Sequence, residues 1–241
     1  DHVVLDWSLV GVVDEAGISS LPQEGQKIAT DTIVEVFLAA VPKDETARYQ
    51  RIFSTAGLTL EALELENSSL VRSLLGNDLS PTAILNMGGR STSILVVDKG
   101  YERLNHNYEI GGYEMTKAIA NALSISYEDA EALKRNHGLT DEPDNQARSA
   151  ILSIIDMMIF ETRKTIETFE QSHGKAVERV VLVGGLANIA ELSSYINERI
   201  GRPVLVGNVF ARLQYPPELS PVVQQLSNTL AIAVGCAMRG Q

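Results

Sequence analysis

The 241-residue sequence predicts an α/β fold built on a mixed β-sheet with flanking helices. Segments rich in Val, Ile and Leu alternate with segments whose apolar residues recur at helical spacing, which is typical of α/β proteins. Between residues 82 and 109, three apolar segments are separated only by tight, glycine-containing turns, which predicts antiparallel strands. A strand–helix pair follows them. The combination indicates a mixed sheet and not a uniformly parallel one.

Composition limits the class of protein. Hydrophobic residues make up 44% and charged residues 21% of the chain, which is ordinary for a soluble globular protein. The net charge of −11 argues against nucleic-acid binding and against direct docking on anionic lipid. No apolar segment reaches the ~18 residues of a membrane helix, so we expect no direct membrane insertion.

Cysteine usage and the first residues add two expectations. The single cysteine, Cys236, lies in an apolar segment, and we expect it to be a small buried residue. Sparse cysteine fits a reducing, cytoplasmic setting. The chain begins at Asp1 and enters an apolar segment at once, so we expect that sequence upstream of it is missing.

The first part of the chain reads as a small α/β unit. We predict strands at 3–13 and 32–41 and a loop at 17–29. A helix at 43–56 begins after Pro42, a residue tolerated at a helix start, and ends at Gly57. A further strand at 58–65 and a short helix at 66–75 complete the unit.

The second part carries the larger sheet. Its predicted strands are at 82–87, 93–97, 103–109, 177–183 and 204–206, and its predicted helices are at 113–123, 127–136, 147–171, 189–200 and 225–238. Ser126 is the expected cap of the second of these helices.

Two glycine turns could bind a ligand. In the first, a strand ends before Gly88-Gly89, and the hydroxyls of Ser91 and Thr92 follow; free amides at such a turn can bind phosphate. In the second, Gly184-Gly185 joins a buried strand to a helix that includes Asn188, a geometry that admits a phosphate or a flat ligand. Each has a plainer interpretation, a simple hairpin turn or an ordinary α/β loop.

A charged pair lies between the two turns in sequence. Glu131 and Lys134 are three residues apart on a predicted helix and therefore share a face. They could bracket a ribose or a purine edge, or they could be a solvated salt bridge.

The order of these three features resembles the actin/Hsp70/FtsA superfamily, in which a second phosphate loop, a helix pair and an adenosine loop follow in that sequence. The segment Glu109–Thr116 resembles the "strand, Gly-Gly, helix with Thr" of that superfamily. The helix Ala130-Glu131-Ala132-Leu133-Lys134 is similar to the "Ala-Glu-x-Leu-Lys" helix of PilM proteins of type IV pilus assembly. The segments Leu5–Trp7, Val36–Lys43 and Ala56–Leu58 resemble the extra subdomain 1C of FtsA and PilM.

The resemblance implies an actin-like ATPase (ribonuclease H-like) fold with a small 1C-like α/β subdomain. Its expected parts are a 1C-like subdomain at 1–66, a 1A-like linking helix at 67–80, subdomain 2A at 81–124 and 146–241, and subdomain 2B at 125–145 with the adjoining part of the helix at 146–171.

The resemblance also implies a site for ATP or ADP with Mg²⁺. Gly88, Gly89, Ser91 and Thr92 would contact the β- and γ-phosphates, Glu131 and Lys134 the nucleoside, and Gly184, Gly185 and Asn188 the adenine and ribose. Asn86 stands where the superfamily usually has the Asp that orders metal-bound water. Its neutral amide predicts weak ATP hydrolysis at most. We assign no catalytic residue and no metal ligand, and the first phosphate loop has no counterpart in this chain.

The resemblance finally implies a role. PilM-like proteins are scaffolds on the cytoplasmic face of the pilus machinery, peripheral to the inner membrane through partners. They bind the N-terminal segment of PilN, and residues 3–65 would form part of that peptide site. An acidic chain suits a basic juxtamembrane tail. Self-association stays open, as do three alternatives: an active ATPase or kinase of this superfold, an FtsA-like division protein, and a GspL-like secretion protein.

Overall fold

The computed structural model describes residues 2–14, 19–21 and 27–240. The chain forms two compact units, Asp1–Ser69 and Leu70–Gln241. The finer division into 1A-, 1C-, 2A- and 2B-like parts stays a prediction. In the part of the chain that the structure describes, no helix has both the length and the apolar character needed to cross a bilayer.

The first unit contains a three-stranded antiparallel sheet in the order β2-β1-β3. Its strands are β1 (His2–Val13), β2 (Ser19–Ser20) and β3 (Ile33–Pro42). Helix α1 (Lys43–Thr55) follows Pro42, and α2 begins later at Glu66 and ends at Leu74. The two long strands and both helices confirm the prediction. Part of the loop predicted at 17–29 lies outside the described residues, and Ser19–Ser20 pairs with Val12 and Val13 as a short strand.

The strand predicted at 58–65 is wrong. These residues have no regular secondary structure, although Leu58, Leu60, Leu63 and Leu65 make the segment apolar. A strand exists only through hydrogen bonds to a neighbour. Among the described residues no strand pairs with this segment, so its apolar residues do not form a strand.

The second unit is built on a five-stranded sheet in the order β6-β5-β4-β7-β8. The strands are β4 (Thr82–Met87), β5 (Thr92–Asp98), β6 (Tyr101–Tyr108), β7 (Arg179–Val183) and β8 (Val204–Val206). Strands β4, β5 and β6 are antiparallel neighbours, whereas β7 is parallel to both β4 and β8. The predicted mixed sheet is confirmed.

Six helices accompany this sheet in the described residues. They are α3 (Gly112–Leu123), α4 (Tyr127–His137), α5 (Arg148–His173), α6 (Leu192–Ile200), α7 (Ser220–Leu226) and α8 (Ala231–Ala237). The expected cap of α4 is present, because the Ser126 hydroxyl accepts a hydrogen bond from the Asp129 amide at 3.1 Å. The first four match their predictions closely, apart from the start of α6.

Two predicted helices are shorter than expected. A 3₁₀ turn at Gly185–Asn188 precedes α6, and Glu191, with φ of 62°, breaks the helical path between them. The helix predicted at 225–238 is two helices separated at 227–230. Ser227 and Asn228 at this break are held by distant groups: the Ser227 hydroxyl accepts from the Val209 amide, and the Asn228 carbonyl accepts from the Gly184 amide.

The expected burial of Cys236 is wrong as well, since the residue is exposed. The buried face of α8 carries Ala231, Val234 and Gly235, and Cys236 lies outside that face.

Both faces of the large sheet are buried at its inner strands β4, β5 and β7, and neighbouring residues of β4 alternate between two cores. Ala83, Leu85 and Met87 pack into a core with α3 and α5, whereas Ile84 packs into a second core with Leu95, Val97, Val181, Val183 and Leu70. The apolar stripe of α5 supplies Ile151, Ile155, Met158, Ile166 and Phe169 to the first core, as its spacing predicted. Because β4 and β7 are central strands buried on both faces, their ends are held firmly.

Candidate functional site

The two glycine turns meet at one edge of the sheet. Strands β4 and β7 are parallel neighbours, and Asn86 pairs with Val183 at their carboxyl ends. The chain therefore leaves both strands at the same edge, with Gly88-Gly89 beyond one and Gly184-Gly185 beyond the other. Ligands of α/β sheets commonly bind at such an edge.

Gly184 permits the close approach of the two turns. Its φ is 88°, and a Cβ at this position would lie 2.3 Å from the Met87 carbonyl oxygen. Only glycine fits this conformation and this gap. Gly185 differs, because a Cβ there would meet no atom within 4 Å. The backbone of Gly185 is thus open to a ligand.

The Gly88-Gly89 turn is fastened by the start of α3. The Gly112 amide donates to the Gly88 carbonyl at 3.0 Å, and the Tyr113 amide donates to the Gly89 carbonyl at 2.7 Å. Within the described residues, the amides of Gly89 and Arg90 have no protein acceptor. The turn is therefore fixed through its carbonyls and keeps amides free for an anion.

Helix α4 contributes a buried charge cluster. Lys134 is only 5% exposed, and its Nζ lies 3.1 Å from the Gly112 carbonyl oxygen, 2.8 Å from Thr116 Oγ1 and 2.6 Å from Glu131 Oε2. The other carboxylate oxygen of Glu131 accepts from Arg135 Nε at 2.6 Å. A buried ammonium is tolerated only when paired and hydrogen-bonded in this way.

The same contacts keep Glu131 ionised. Partial burial would raise the pKa of Glu131, but hydrogen bonds from Lys134, Thr116 and Arg135 outweigh it and lower the pKa from 4.5 to about 2. At neutral pH, Glu131 therefore carries a full negative charge next to Lys134.

A cleft of about 800 Å³ lies between these groups. Six of the ten predicted site residues line it: Gly88, Gly89, Glu131, Lys134, Gly185 and Asn188. All described lining residues fall between positions 88 and 229, so the second unit alone forms this cleft. The structure thus brings the three sequence features together in one cavity, whereas their contacts with a nucleotide stay predictions.

The other four predicted residues, Asn86, Ser91, Thr92 and Gly184, are not among the lining residues. Thr92 is buried and its hydroxyl donates to the Ile110 carbonyl at 2.7 Å, which ties the strand to the segment before α3. Asn86 is half-buried, and its Oδ1 lies 2.9 Å from where a Gly184 Cβ would stand. The carbonyl of Ser91 accepts from the Gly88 amide and closes the turn.

Sequence reasoning missed several lining residues. These are Arg90, Gly112, Tyr113, Tyr127, Arg135, Leu186, Ile189 and Thr229. The rings of Tyr113 and Tyr127 lie 5.5 Å apart, centroid to centroid, and both are exposed at the cleft. The sequence places three of these residues next to features that it does predict. Tyr113 follows the Gly111-Gly112 pair, Tyr127 follows the Ser126 cap, and Arg90 lies inside the first glycine turn.

The cleft suits an organic anion better than a metal ion. Free amides, cationic side chains and aromatic rings are groups that bind phosphates and flat rings. Among the described lining residues only Glu131 carries a carboxylate, and both of its oxygens are already hydrogen-bonded. No group of three His, Cys, Asp or Glu side chains able to hold a metal occurs among the described residues. The described lining residues thus offer no free carboxylate to Mg²⁺, which binds at nucleotide sites through one or two carboxylates together with water and phosphate oxygens.

Replacing Glu131 tests the charge cluster. We expect Glu131→Gln to destabilise the chain by about 2–3 kcal/mol at pH 7, because it leaves the Lys134 ammonium buried without a counter-charge. A carboxylate whose pKa is lowered on folding stabilises the folded state above its unfolded pKa and loses that effect as the pH falls through the folded value. The stability difference between the variant and the parent chain should therefore shrink as the pH falls from 4.5 towards 2.

Urea unfolding across this pH range measures the difference, with Glu167→Gln on the exposed face of α5 as the matched control. A Glu131→Gln penalty that stays constant with pH, or that the control shares, would contradict the assigned role.

Among curated proteins, the cell division protein FtsA of Agrobacterium fabrum strain C58 is 33% identical over 159 residues, covering 53% of this chain and 35% of FtsA. The chain therefore spans about a third of that relative's length. Among solved structures, the PilM-PilN type IV pilus biogenesis complex has a TM-score of 0.79 at 21% identity and covers 99% of this chain and 66% of that one. MreB5 of Spiroplasma citri bound to ADP has a TM-score of 0.64 at 13% identity, over 83% and 66%.

The structural likenesses confirm the predicted actin-like fold. A family model described as "Type IV pilus assembly protein PilM" matches residues 23–241, most of the chain. With its fold and its three sequence features in the expected order, the chain belongs to the PilM family of type IV pilus assembly proteins.

Proposed function

We propose that this chain is an actin-fold scaffold of type IV pilus assembly that binds ATP or ADP in the cleft and a PilN-like membrane protein through its first unit. The observation that carries the nucleotide part is the meeting of the Gly88-Gly89 turn, Gly185 and the Glu131–Lys134 pair in one cavity. The family membership carries the assembly part.

The cleft has the size and the polarity that a nucleotide needs. Its volume of about 800 Å³ lies within the range of small-molecule sites. The free amides of Gly89 and Arg90 favour the phosphates at one turn, and the open backbone of Gly185 favours the base and ribose at the other. Because the chain covers 66% of the PilM chain in the solved complex, further walls of the site would come from outside it. We therefore expect weak binding by these 241 residues.

The bound nucleotide would be structural or regulatory. Phosphoryl transfer depends on charge stabilisation around a metal, and the half-buried amide of Asn86 offers none. Slow turnover suits a scaffold better than an ATPase or a kinase of the same fold.

The first unit is acidic and exposes apolar side chains, which suits the binding of a basic, partly apolar peptide. Residues 1–69 contain twelve acidic and four basic residues, a balance of −8. Trp7 and Leu38 pair across β1 and β3, and they are 65% and 58% exposed, respectively. Val36, two residues from Leu38, shares their face of the sheet and is exposed as well. The cytoplasmic tail of a membrane protein commonly carries Lys and Arg next to its membrane helix. This supports a cytoplasmic scaffold, peripheral to the inner membrane through its partner.

Filling the open backbone at Gly185 tests nucleotide binding. We expect Gly185→Leu to abolish ADP binding without lowering the melting temperature, because the new side chain would occupy the cleft and displace no protein atom. Isothermal titration with ADP measures the affinity, and Ala176→Leu, on an exposed residue before the other end of β7, is the control. Equal ADP affinity in parent and Gly185→Leu would refute binding in this cleft.

The single tryptophan tests partner binding. Trp7 is the only Trp and is exposed, so a peptide covering the β1–β3 face should shift its fluorescence emission to shorter wavelength. We expect this shift with a synthetic N-terminal segment of a PilN-like protein, weaker affinity at high salt, and at least tenfold weaker binding in Leu38→Ser.

Leu205 on β8 is a leucine of similar exposure, and Leu205→Ser should bind the peptide as the parent chain does. Peptide binding that leaves the Trp7 emission unchanged, or that both serine variants weaken alike, would place the contact elsewhere.

A further inference from the structure

The charges around the cleft are opposite in sign to those of the chain as a whole. Among the described lining residues, three side chains are cationic, Arg90, Lys134 and Arg135, and one is a carboxylate, Glu131. The complete chain has a net charge of −11. The cleft is therefore a local positive site on an acidic protein, which concentrates anions there.

Of these three cationic side chains, Arg90 is the one that forms no ion pair within the described residues. Lys134 and Arg135 are both bonded to Glu131, at 2.6 Å each. Arg90 is exposed on the Gly88-Gly89 turn, and no carboxylate among residues 2–14, 19–21 and 27–240 pairs with it. Arg90 and the free amides of Gly89 and Arg90 belong to the same turn and line the same cleft, and guanidinium and amide N–H groups are donors of the kind that bind phosphate.

We propose that the cleft binds the phosphates of its nucleotide without a divalent metal, with the Arg90 guanidinium supplying the positive charge. The inference rests on the proposed nucleotide site. Among the described lining residues, no uncommitted carboxylate is available to Mg²⁺, and Arg90 offers phosphate oxygens a planar pair of donors. The preferred ligand is then the free, more highly charged nucleotide anion. Mg²⁺ competes with Arg90 for the same phosphate oxygens and lowers the effective charge of the ligand.

A fluorescent ADP analogue titrated with the 241-residue chain, once in EDTA and once in excess MgCl₂, tests the metal dependence. The affinity in EDTA should equal or exceed the affinity in Mg²⁺, and it should fall as NaCl is added. Tighter binding in Mg²⁺ would overturn the inference and leave the nucleotide site in place. Undetectable binding in both buffers up to millimolar protein would instead refute the proposed nucleotide site, and this inference with it.

Variants of Arg90 test the residue itself. Arg90→Ala should weaken binding in EDTA by about tenfold or more, and Arg90→Lys should recover part of that loss because it keeps the charge and loses the planar fork. Arg163→Ala, on the exposed face of α5, should bind as the parent chain does. Arg90 is exposed and makes no ion pair within the described residues, so its replacement should leave the melting temperature unchanged. Equal affinity of Arg90→Ala and the parent chain would overturn the assignment.

Discussion

The parallel pairing of β4 with β7 is the constraint on which the site depends. It aligns Asn86 with Val183, so that two glycine turns nearly 100 residues apart in sequence leave the sheet at one edge. Cores on both faces hold the two strands in place, and Gly184 lets the second turn approach the Met87 carbonyl as closely as it does. The open backbone of the cleft is thus a consequence of buried strands that do not themselves line it.

A second constraint joins the charged helix to the same edge. Gly112 donates its amide to the Gly88 carbonyl and accepts a hydrogen bond from Lys134 at its own carbonyl. Through this one residue the Glu131–Lys134 pair, α3 and the first turn are mechanically connected. Glu131 and Lys134 therefore stabilise the contact between α4, α3 and the first turn. The cationic group that remains for a ligand is the exposed guanidinium of Arg90. Within the described residues Arg90 forms no ion pair, so its charge, unlike that of Lys134, is not already paired with Glu131.

The sequence predicted the features that depend on local chemistry. The mixed sheet, the Ser126 cap, the stripe of α5 and the order of the three site features all follow from residue type and spacing, and the structure contains each. The features that the sequence could not predict depend on contacts between residues far apart in the chain. Residues 58–65 are rich in leucine but have no strand beside them among the described residues. The last predicted helix is divided at Asn228, which binds Gly184 and Asn188. Thr92 carries a hydroxyl at the first turn, but this hydroxyl donates its hydrogen bond to the Ile110 carbonyl.

Amide chemical shifts of the ¹⁵N-labelled chain during an ADP titration show, residue by residue, where the ligand binds. If the β4–β7 pairing builds one binding edge, Gly88, Gly89 and Arg90 should shift together with Gly185 and Leu186, with a single shared dissociation constant. Shifts confined to one turn, different constants for the two turns, or shifts that avoid both would contradict the account.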